Sequence, residues 1–143
     1  MFIKQVSVFI ENRAGRLAEV SKKLASEGVN IRSLSLADSS DFGVLRLIVD
    51  EPEHCVKTLT QAGFIAQLTE VLALEIEDRP GGLDRVLSLF SENAINVEYM
   101  YAFVEKKAGN AIVIFKTGDN IRAREIAQKN AIPFLTGEAL KNI

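Results

Sequence analysis

The sequence predicts an α+β protein made of two tandem units, each with the element order βαββαβ. The first observation is a repeat: residues 11–17 read ENRAGRL, and residues 77–83 read EDRPGGL, at an offset of 66 positions. The second is that the similarity continues without a gap over residues 11–50 and 77–116. The third is that the same order of apolar periodicities follows each copy. The identical pairs are Glu11/Glu77, Arg13/Arg79, Gly15/Gly81, Leu17/Leu83, Val20/Val86, Asn30/Asn96, Gly43/Gly109 and Ile48/Ile114.

Each unit is predicted to open with a strand and a helix. Residues 5–10 and 71–76 are short apolar-rich runs, which is typical of strands. The following apolar residues recur at the spacing of one buried helix face, and Gly28 ends the first helix in the usual way for a glycine past a helix C-terminus. These helix positions are Leu17, Val20 and Leu24 in the first copy and Leu83, Val86, Leu87 and Phe90 in the second.

The remaining elements also occur in pairs. Second strands are expected at 29–37 and 95–104, turns at 39–43 and 105–109, and third strands at 43–50 and 110–116. Second helices are expected at 52–63 and 118–130, with Pro52 and Asp119 at their starts, and fourth strands at 63–68 and 132–135. This order is the ferredoxin-like split βαβ unit, in which two helices cover one face of an antiparallel sheet.

The short junction between the copies predicts two closely connected domains, over residues 1–68 and 69–143. Units of about 70 residues bury little surface alone, so we expect the two to pack against each other. Because almost no linker separates the fourth strand of one copy from the first strand of the next, a single continuous eight-stranded sheet is an alternative arrangement.

The composition excludes several classes of protein. The 143-residue chain has a net charge of −2 and a pI of about 5.5, so the basic surface that nucleic-acid binding needs is missing. One cysteine, Cys55, excludes an internal disulfide, and one histidine, His54, leaves no pair of imidazoles for a metal. We therefore expect no metal and no cofactor. No secretion signal and no run of ~20 apolar residues is visible, which favours a cytoplasmic protein with no membrane partner.

The repeated loop joins the first strand to the first helix of each unit. Gly15 and Gly81 lie where the chain turns, and a glycine there permits positive φ and close approach of another group. The helix start presents unpaired N–H groups, which suit a carboxylate or phosphate. Asn12 and Asp78 can cap these helices or bind a ligand, and a purely local role as caps and turn residues is the alternative.

The pattern E-[ND]-R-[AP]-G-x-L-x-x-V-x-x-x-[LF]-x-x-x-[GA]-[VI]-N-[IV] resembles the ACT domain, a ferredoxin-like module that binds amino acids and related metabolites. The resemblance covers both halves, and hence nearly the whole chain. The first half, ENRAGRLAEVSKKLASEGVNIRSLSLA, is also similar to acetolactate synthase small subunits and to the regulatory domain of phosphoglycerate dehydrogenase.

The resemblance implies a ligand between two paired ACT domains, which contacts the loop of one and the start of the second strand of the other. By position, the implied loop residues of the first half are Asn12, Arg13, Ala14, Gly15, Arg16 and Leu17, with Asn30 and Ile31 on the strand. Those of the second half are Asp78, Arg79, Pro80, Gly81, Gly82 and Leu83, with Asn96 and Val97. Asn30 would then serve the loop of the second half, and Asn96 the loop of the first.

Three differences between the loops predict unequal sites. Ala14 replaces the proline that is common in this family and that Pro80 retains, which leaves the first loop less rigid. Asp78 carries a charge where Asn12 is neutral, and an ionised Asp78 would favour a ligand ammonium group. Gly82 is small where Arg16 is long, so the two sites should differ in size.

Two further features are interpreted as packing residues rather than as functional sites. Tyr99, Tyr101 and Phe103 alternate along a strand and could stack on RNA bases, but the RNA-recognition string is absent, and packing in a core or an interface is favoured. His54 and Cys55 are adjacent, yet neighbours on a helix point about 100° apart, so a core position is favoured for Cys55 over a catalytic pair.

The sequence thus favours a non-catalytic sensor that binds a free amino acid or similar metabolite between its two ACT domains. The first alternative is an obligatory regulatory subunit of an enzyme of amino-acid metabolism. A small ferredoxin-like enzyme of the acylphosphatase kind is a weaker alternative, because the arginine-bearing glycine loop of that family is not matched. No catalytic residue is assigned. A partner enzyme and a homodimer both remain open.

Overall fold

A computed structural model describes residues 2–103 and 107–143. The described residues divide into two compact units, one formed by residues 4–69 and the other by residues 2–3, 70–103 and 107–143. We call them the first and the second unit, and describe each by itself.

The first unit contains four strands and two helices. Its sheet has the order β2-β3-β1-β4, and β3 is antiparallel to both of its neighbours. Both helices contribute to one core with the sheet, which includes Val6, Leu24, Leu47 and Leu59. The elements are β1 (Ile3–Glu11), α1 (Arg16–Ser26), β2 (Ile31–Asp38), β3 (Phe42–Val49), α2 (Pro52–Gln61) and the first part of β4 (Ile65–Ile76).

The second unit repeats this arrangement and adds a short helix at its end. The later part of β4 takes the place of β1, and the sheet order is β7-β4-β6-β5, with antiparallel pairing throughout. Its core includes the edge-to-face pair Phe90 and Phe115. The further elements are α3 (Gly82–Glu92), β5 (Val97–Ala102), β6 (Ala111–Thr117), α4 (Asn120–Lys129), β7 (Phe134–Leu135) and α5 (Gly137–Lys141).

The predicted α+β class and the βαββαβ order of both units are confirmed. The expectation of eight strands is wrong, since the described residues form seven. The two strands expected at 63–68 and 71–76 are one continuous strand, β4, because no turn residue interrupts Ile65–Ile76. Helix α5 was not predicted. The predicted strand end at residue 104 and residues 105–106 of the predicted turn lie outside the described residues.

The strand register corrects the gap-free alignment of the two copies. Val6 pairs with Leu47 in the first unit, and Leu72, its counterpart at offset 66, pairs with Phe115. The third strands are therefore related by an offset of 68, and the chain between the paired residues Met100 and Phe115 is two residues longer than that between Leu34 and Leu47. Connections tolerate such insertions, whereas a sheet register with one buried face does not. The matches Gly43/Gly109 and Ile48/Ile114 are thus coincidental.

The corrected offset also explains the second helices. The counterpart of Cys55 is Ala123, and both are fully buried, whereas Ile121, the gap-free counterpart, is exposed. The core position expected for Cys55 is confirmed, although the alignment behind it was shifted. As predicted, Pro52 is the first residue of α2, and Asp119 caps α4 by accepting a hydrogen bond from the Arg122 amide. No helix in the described part of the chain is long and apolar enough to cross a membrane.

Candidate functional site

The repeated loops have the same backbone geometry. Gly15 (φ 92°) directly precedes helix α1, and Gly81 (φ 87°) directly precedes helix α3. This left-handed conformation strains other residues, so the prediction that these glycines permit positive φ is confirmed. Neither helix has a side-chain cap. The alternative that Asn12 and Asp78 act as helix caps is therefore wrong.

Asn12 connects its loop to the turn between β2 and β3. Its side-chain amide donates to the Ser39 carbonyl at 3.0 Å, and its backbone amide donates to the Asp41 carbonyl at 2.8 Å. Two bonds to one turn fix the position of the loop relative to the sheet. Asn12 therefore has a structural role in addition to any contact with a ligand.

Arg16 is the most enclosed cation of the first loop. Its Nε lies 2.9 Å from Oε2 of Glu11, and its Nη1 lies 2.5 Å from Oε2 of Glu19. The guanidinium carbon lies 4.4 Å from the centre of the Phe64 ring, and the side chain is only 15% exposed. By contrast, Arg13 reaches Glu11 at 3.4 Å and is 59% exposed. The Arg16 guanidinium is thus part of the unit's own packing.

In the second loop, the backbone at Gly82, which is the counterpart of Arg16, lies too close to the backbone that follows β4 to leave room for a side chain. A Cβ atom on Gly82 would lie 2.0 Å from the carbonyl oxygen of Glu77. Where the first unit has the long Arg16 side chain, the second unit has only backbone. The difference in size expected between the two loops is therefore present in the local geometry.

A cavity of about 250 Å³ lies beside this loop, entirely within the second unit. A water molecule needs roughly 10–15 Å³ measured in this way, so the cavity has room for a small metabolite. Its wall contains both charged and apolar residues. The lining residues are Glu75, Ile76, Glu77, Arg79, Gly81, Gly82, Arg85, Val86, Asn110, Ala131, Ile132 and Pro133.

The charged groups of this wall have identified partners. Arg79 pairs with Glu77, and Arg85 donates from Nη2 to the Asn130 carbonyl at 2.5 Å. The Glu75 carboxylate is 12% exposed and accepts a hydrogen bond from the Asn110 amide at 3.0 Å. These contacts hold carboxylates and guanidinium groups at the same opening.

The pocket beside the first loop is much smaller, at about 40 Å³. It lies between the loop and the end of β2, and its wall includes Asn12, Arg13, Arg16, Leu17 and Leu36. At roughly 10–15 Å³ per water, it holds only a few water molecules. The first unit taken alone therefore offers no enclosed space for an amino acid at this loop.

The asparagines predicted to bind the ligand lie away from their own loops. Asn30 and Ile31 follow the C-terminal end of α1, whereas Gly15 precedes its N-terminal end. Eleven helical residues span about 16 Å. Asn96 and Val97 have the same relation to α3. Within one unit, the structure does not bring the loop and the asparagine together.

The other predicted loop residues lie at the surface. Ala14, Asp78 and Pro80 are exposed. Leu17 and Leu83 at the helix starts are 44% and 37% exposed, so the prediction that they lie on the buried helix face is wrong. Exposed leucines at equivalent positions of two units cost free energy in water unless something covers them.

The described residues show no catalytic arrangement of the one cysteine. Cys55 is buried in the core of the first unit, and burial raises the pKa of its thiol to about 11, while the neighbouring His54 is exposed. Within residues 2–103 and 107–143, no group of three His, Cys, Asp or Glu side chains is placed to bind a metal. Phe103 is buried, and Tyr99 and Tyr101 are half-buried on β5.

Sequence reasoning missed part of the cavity wall. The repeat includes Glu77 but does not identify it as part of a cavity wall, and the motif does not include Glu75, Arg85, Asn110 or Ile132. One signal was available, because Arg85 stands 66 positions after Glu19 and reverses its charge. The others come together only through the fold.

Comparison with known proteins identifies the family. A family model described as an ACT domain pair matches residues 1–143. The structure of protein BT0572 from Bacteroides thetaiotaomicron is 33% identical with a TM-score of 0.92, over 100% of this chain and 98% of that one.

More distant structures share the fold. The regulatory subunit of aspartate kinase from Thermus thermophilus is 14% identical with a TM-score of 0.63, over 90% of this chain and 93% of that one. The same subunit from Thermus flavus is also 14% identical, with a TM-score of 0.62 over 90% and 92% of the two chains. No curated protein matches. The repeated glycine loops and these matches together show that the chain belongs to the family of ACT domain pairs.

Proposed function

We propose that this chain is a non-catalytic regulatory protein that binds a free amino acid or a closely related metabolite at one or both of its repeated loops. The observation that carries the proposal is the common geometry of Gly15 and Gly81, each at positive φ directly before a helix. A helix start of this kind presents unpaired N–H groups to a carboxylate. Regulatory ligand binding is typical of ACT domains, and the resemblance and the family match both support it.

The proposed binding residues are those of the two loops together with the asparagines of the second strands. Because each asparagine lies about 16 Å along a helix from its own loop, we propose that each loop takes its asparagine from a different ACT unit. A ligand that contacts two units favours the arrangement that completes both sets of contacts. This is how binding would be transmitted to a partner.

The second candidate is an obligatory regulatory subunit of an enzyme of amino-acid metabolism. The regulatory subunit of aspartate kinase from Thermus thermophilus shares the fold, and this favours the second candidate. The shared fold by itself identifies neither a ligand nor a partner. Purification of the tagged chain from its native host distinguishes the two candidates. A stoichiometric enzyme partner supports the subunit, and isolation of the chain alone supports a free sensor. In either case we place the protein in the cytoplasm, with a homodimer as one form of the pairing.

A thermal-shift screen of the standard L-amino acids, followed by calorimetry, tests the proposal. A ligand at a hundred times its Kd adds about 2.7 kcal/mol to the free energy of unfolding, which corresponds to a shift of several degrees for a domain of this size. A reproducible shift by one amino acid or a small group of them is expected. No shift with any amino acid would contradict the proposed binding of an amino acid.

A further inference from the structure

The two units differ at one place in a way that predicts a ligand. In the first unit the Arg16 guanidinium lies between Glu11, Glu19 and Phe64. The register assigns to these residues the counterparts Gly82, Glu77, Arg85 and Ile132. All four counterparts line the cavity of about 250 Å³. The cavity therefore occupies the space that the Arg16 side chain fills in the first unit.

The substitutions around this space change the charges of the side chains that surround it. The carboxylate of Glu11 is kept as Glu77, but the carboxylate of Glu19 is replaced by the guanidinium of Arg85. Where the first unit surrounds one cation with two carboxylates, the second unit places around a cavity the Glu77 carboxylate, which pairs with the exposed Arg79, and the Arg85 guanidinium. Opposite charges at the wall match a molecule that carries both an ammonium group and a carboxylate.

The Arg85 guanidinium has donors to offer such a molecule. A guanidinium carries five N–H donors, and the Asn130 carbonyl takes one of them at 2.5 Å. That bond holds the Arg85 side chain at the opening of the cavity and preorganises its guanidinium group to bind a carboxylate. Three of the lining residues, Ile76, Val86 and Ile132, are apolar and offer contacts to an aliphatic group.

We propose that this cavity of the second unit binds an aliphatic α-amino acid as its zwitterion, with the carboxylate at Arg85 and the ammonium group at Glu77. The first unit lacks an equivalent site because Arg16 fills that space. This proposal rests on the proposed function but needs no residue of another unit.

Calorimetry of the full chain tests it with four probes, L-alanine, L-valine, L-leucine and L-isoleucine, and with their α-carboxamides, which lack the carboxylate. At least one amino acid is expected to bind, and its amide should bind tenfold or more weakly, because it lacks the carboxylate that forms charge-assisted hydrogen bonds with Arg85. This comparison uses the unaltered protein, so it does not depend on the folding of a variant.

Two variants locate the contact. Arg85→Gln should weaken binding of the amino acid about tenfold and bring the amino acid and its amide to similar affinities, as a double-mutant cycle requires. Ile132→Phe, which introduces the ring of the first unit, should abolish binding by filling the cavity. The matched control is Glu19→Gln at the counterpart position of the first unit, which should bind as the unaltered chain does. Thermal unfolding without ligand checks the fold of each variant.

The outcomes separate this inference from the proposed function. Unchanged binding in Arg85→Gln, together with weakened binding in Asn12→Ala, would assign the ligand to the first loop and overturn only the inference. Failure of the four probes and binding of another amino acid would also overturn only the inference. Absence of binding by any amino acid would overturn both.

Discussion

The guanidinium carbon of Arg16 lies 4.4 Å from the centre of the Phe64 ring. Arg16 is the first residue of helix α1 and Phe64 directly precedes β4, so this contact joins the two elements. A cation over an aromatic face is attracted by the ring quadrupole. Here the attraction is combined with the carboxylates of Glu11 and Glu19. The arginine of the ENRAGRL motif, which sequence reasoning assigned to ligand binding, is thus also a packing residue.

Replacement of Arg16 by alanine should destabilise the first unit by about 1–3 kcal/mol, since it removes the stacking on Phe64, the packing of a mostly buried side chain and two half-exposed ion pairs together. Urea denaturation checks this value. The matched control is Arg13→Ala, which removes a mostly exposed side chain from the same loop and should cost less than about 1 kcal/mol. Equal losses in the two variants would show that the enclosure of Arg16 is unimportant for stability.

Gly82→Ala should destabilise the protein by more than about 1 kcal/mol, because the added Cβ would lie 2.0 Å from the Glu77 carbonyl oxygen. Gly137→Ala is the matched control, since Gly137 also begins a helix but has open space around it. There the change should be neutral or stabilising by up to about 1 kcal/mol. Thermal unfolding of both variants measures the difference, and similar midpoints would contradict the close approach.

Burial of Cys55 should make stability fall in alkaline solution. Its pKa is raised by burial from 9.0 to about 11. Above pH 9 the unfolded chain loses the thiol proton while the folded chain keeps it, so stability is full below pH 9 and declines as the pH rises toward 11. A shift of this size corresponds to at most about 2–3 kcal/mol.

Denaturation at several pH values between 8 and 11, on the unaltered chain and on Cys55→Ala, isolates this contribution. The variant lacks the thiol, so its stability should fall less steeply over the same range. Parallel curves for the two proteins would contradict the assignment. Because the thiol is buried, its reaction with an external disulfide should also be slow in the folded protein.

The fold could be predicted from the sequence because its signals are local. Glycines at the turns, helical spacing in Leu17, Val20 and Leu24, and the duplication itself give the element order. The register of β6 could not be predicted, because two extra residues in a connection leave the alternation of the strand unchanged. The strand pairings of Leu72 and of Met100 with Phe115 reveal them.

The candidate site was predictable in part for the same reason. The loops were found because their glycines and arginines repeat, and their difference at Arg16 and Gly82 was visible in the printed sequence. The cavity itself was not, since Asn110 and Ile132 reach it from distant segments of the chain. Wall residues such as these come together only in the tertiary structure, so a short sequence motif does not contain them.

The stoichiometry of amino-acid binding to the unaltered chain tests the central claim, that the duplication has made two unequal loops of which the second binds the ligand. Calorimetric titration with the best amino acid from the thermal-shift screen is expected to end at one tightly bound molecule per chain. Two equivalent molecules per chain would contradict the claim, and so would binding that Arg16→Ala abolishes and Arg85→Gln leaves intact.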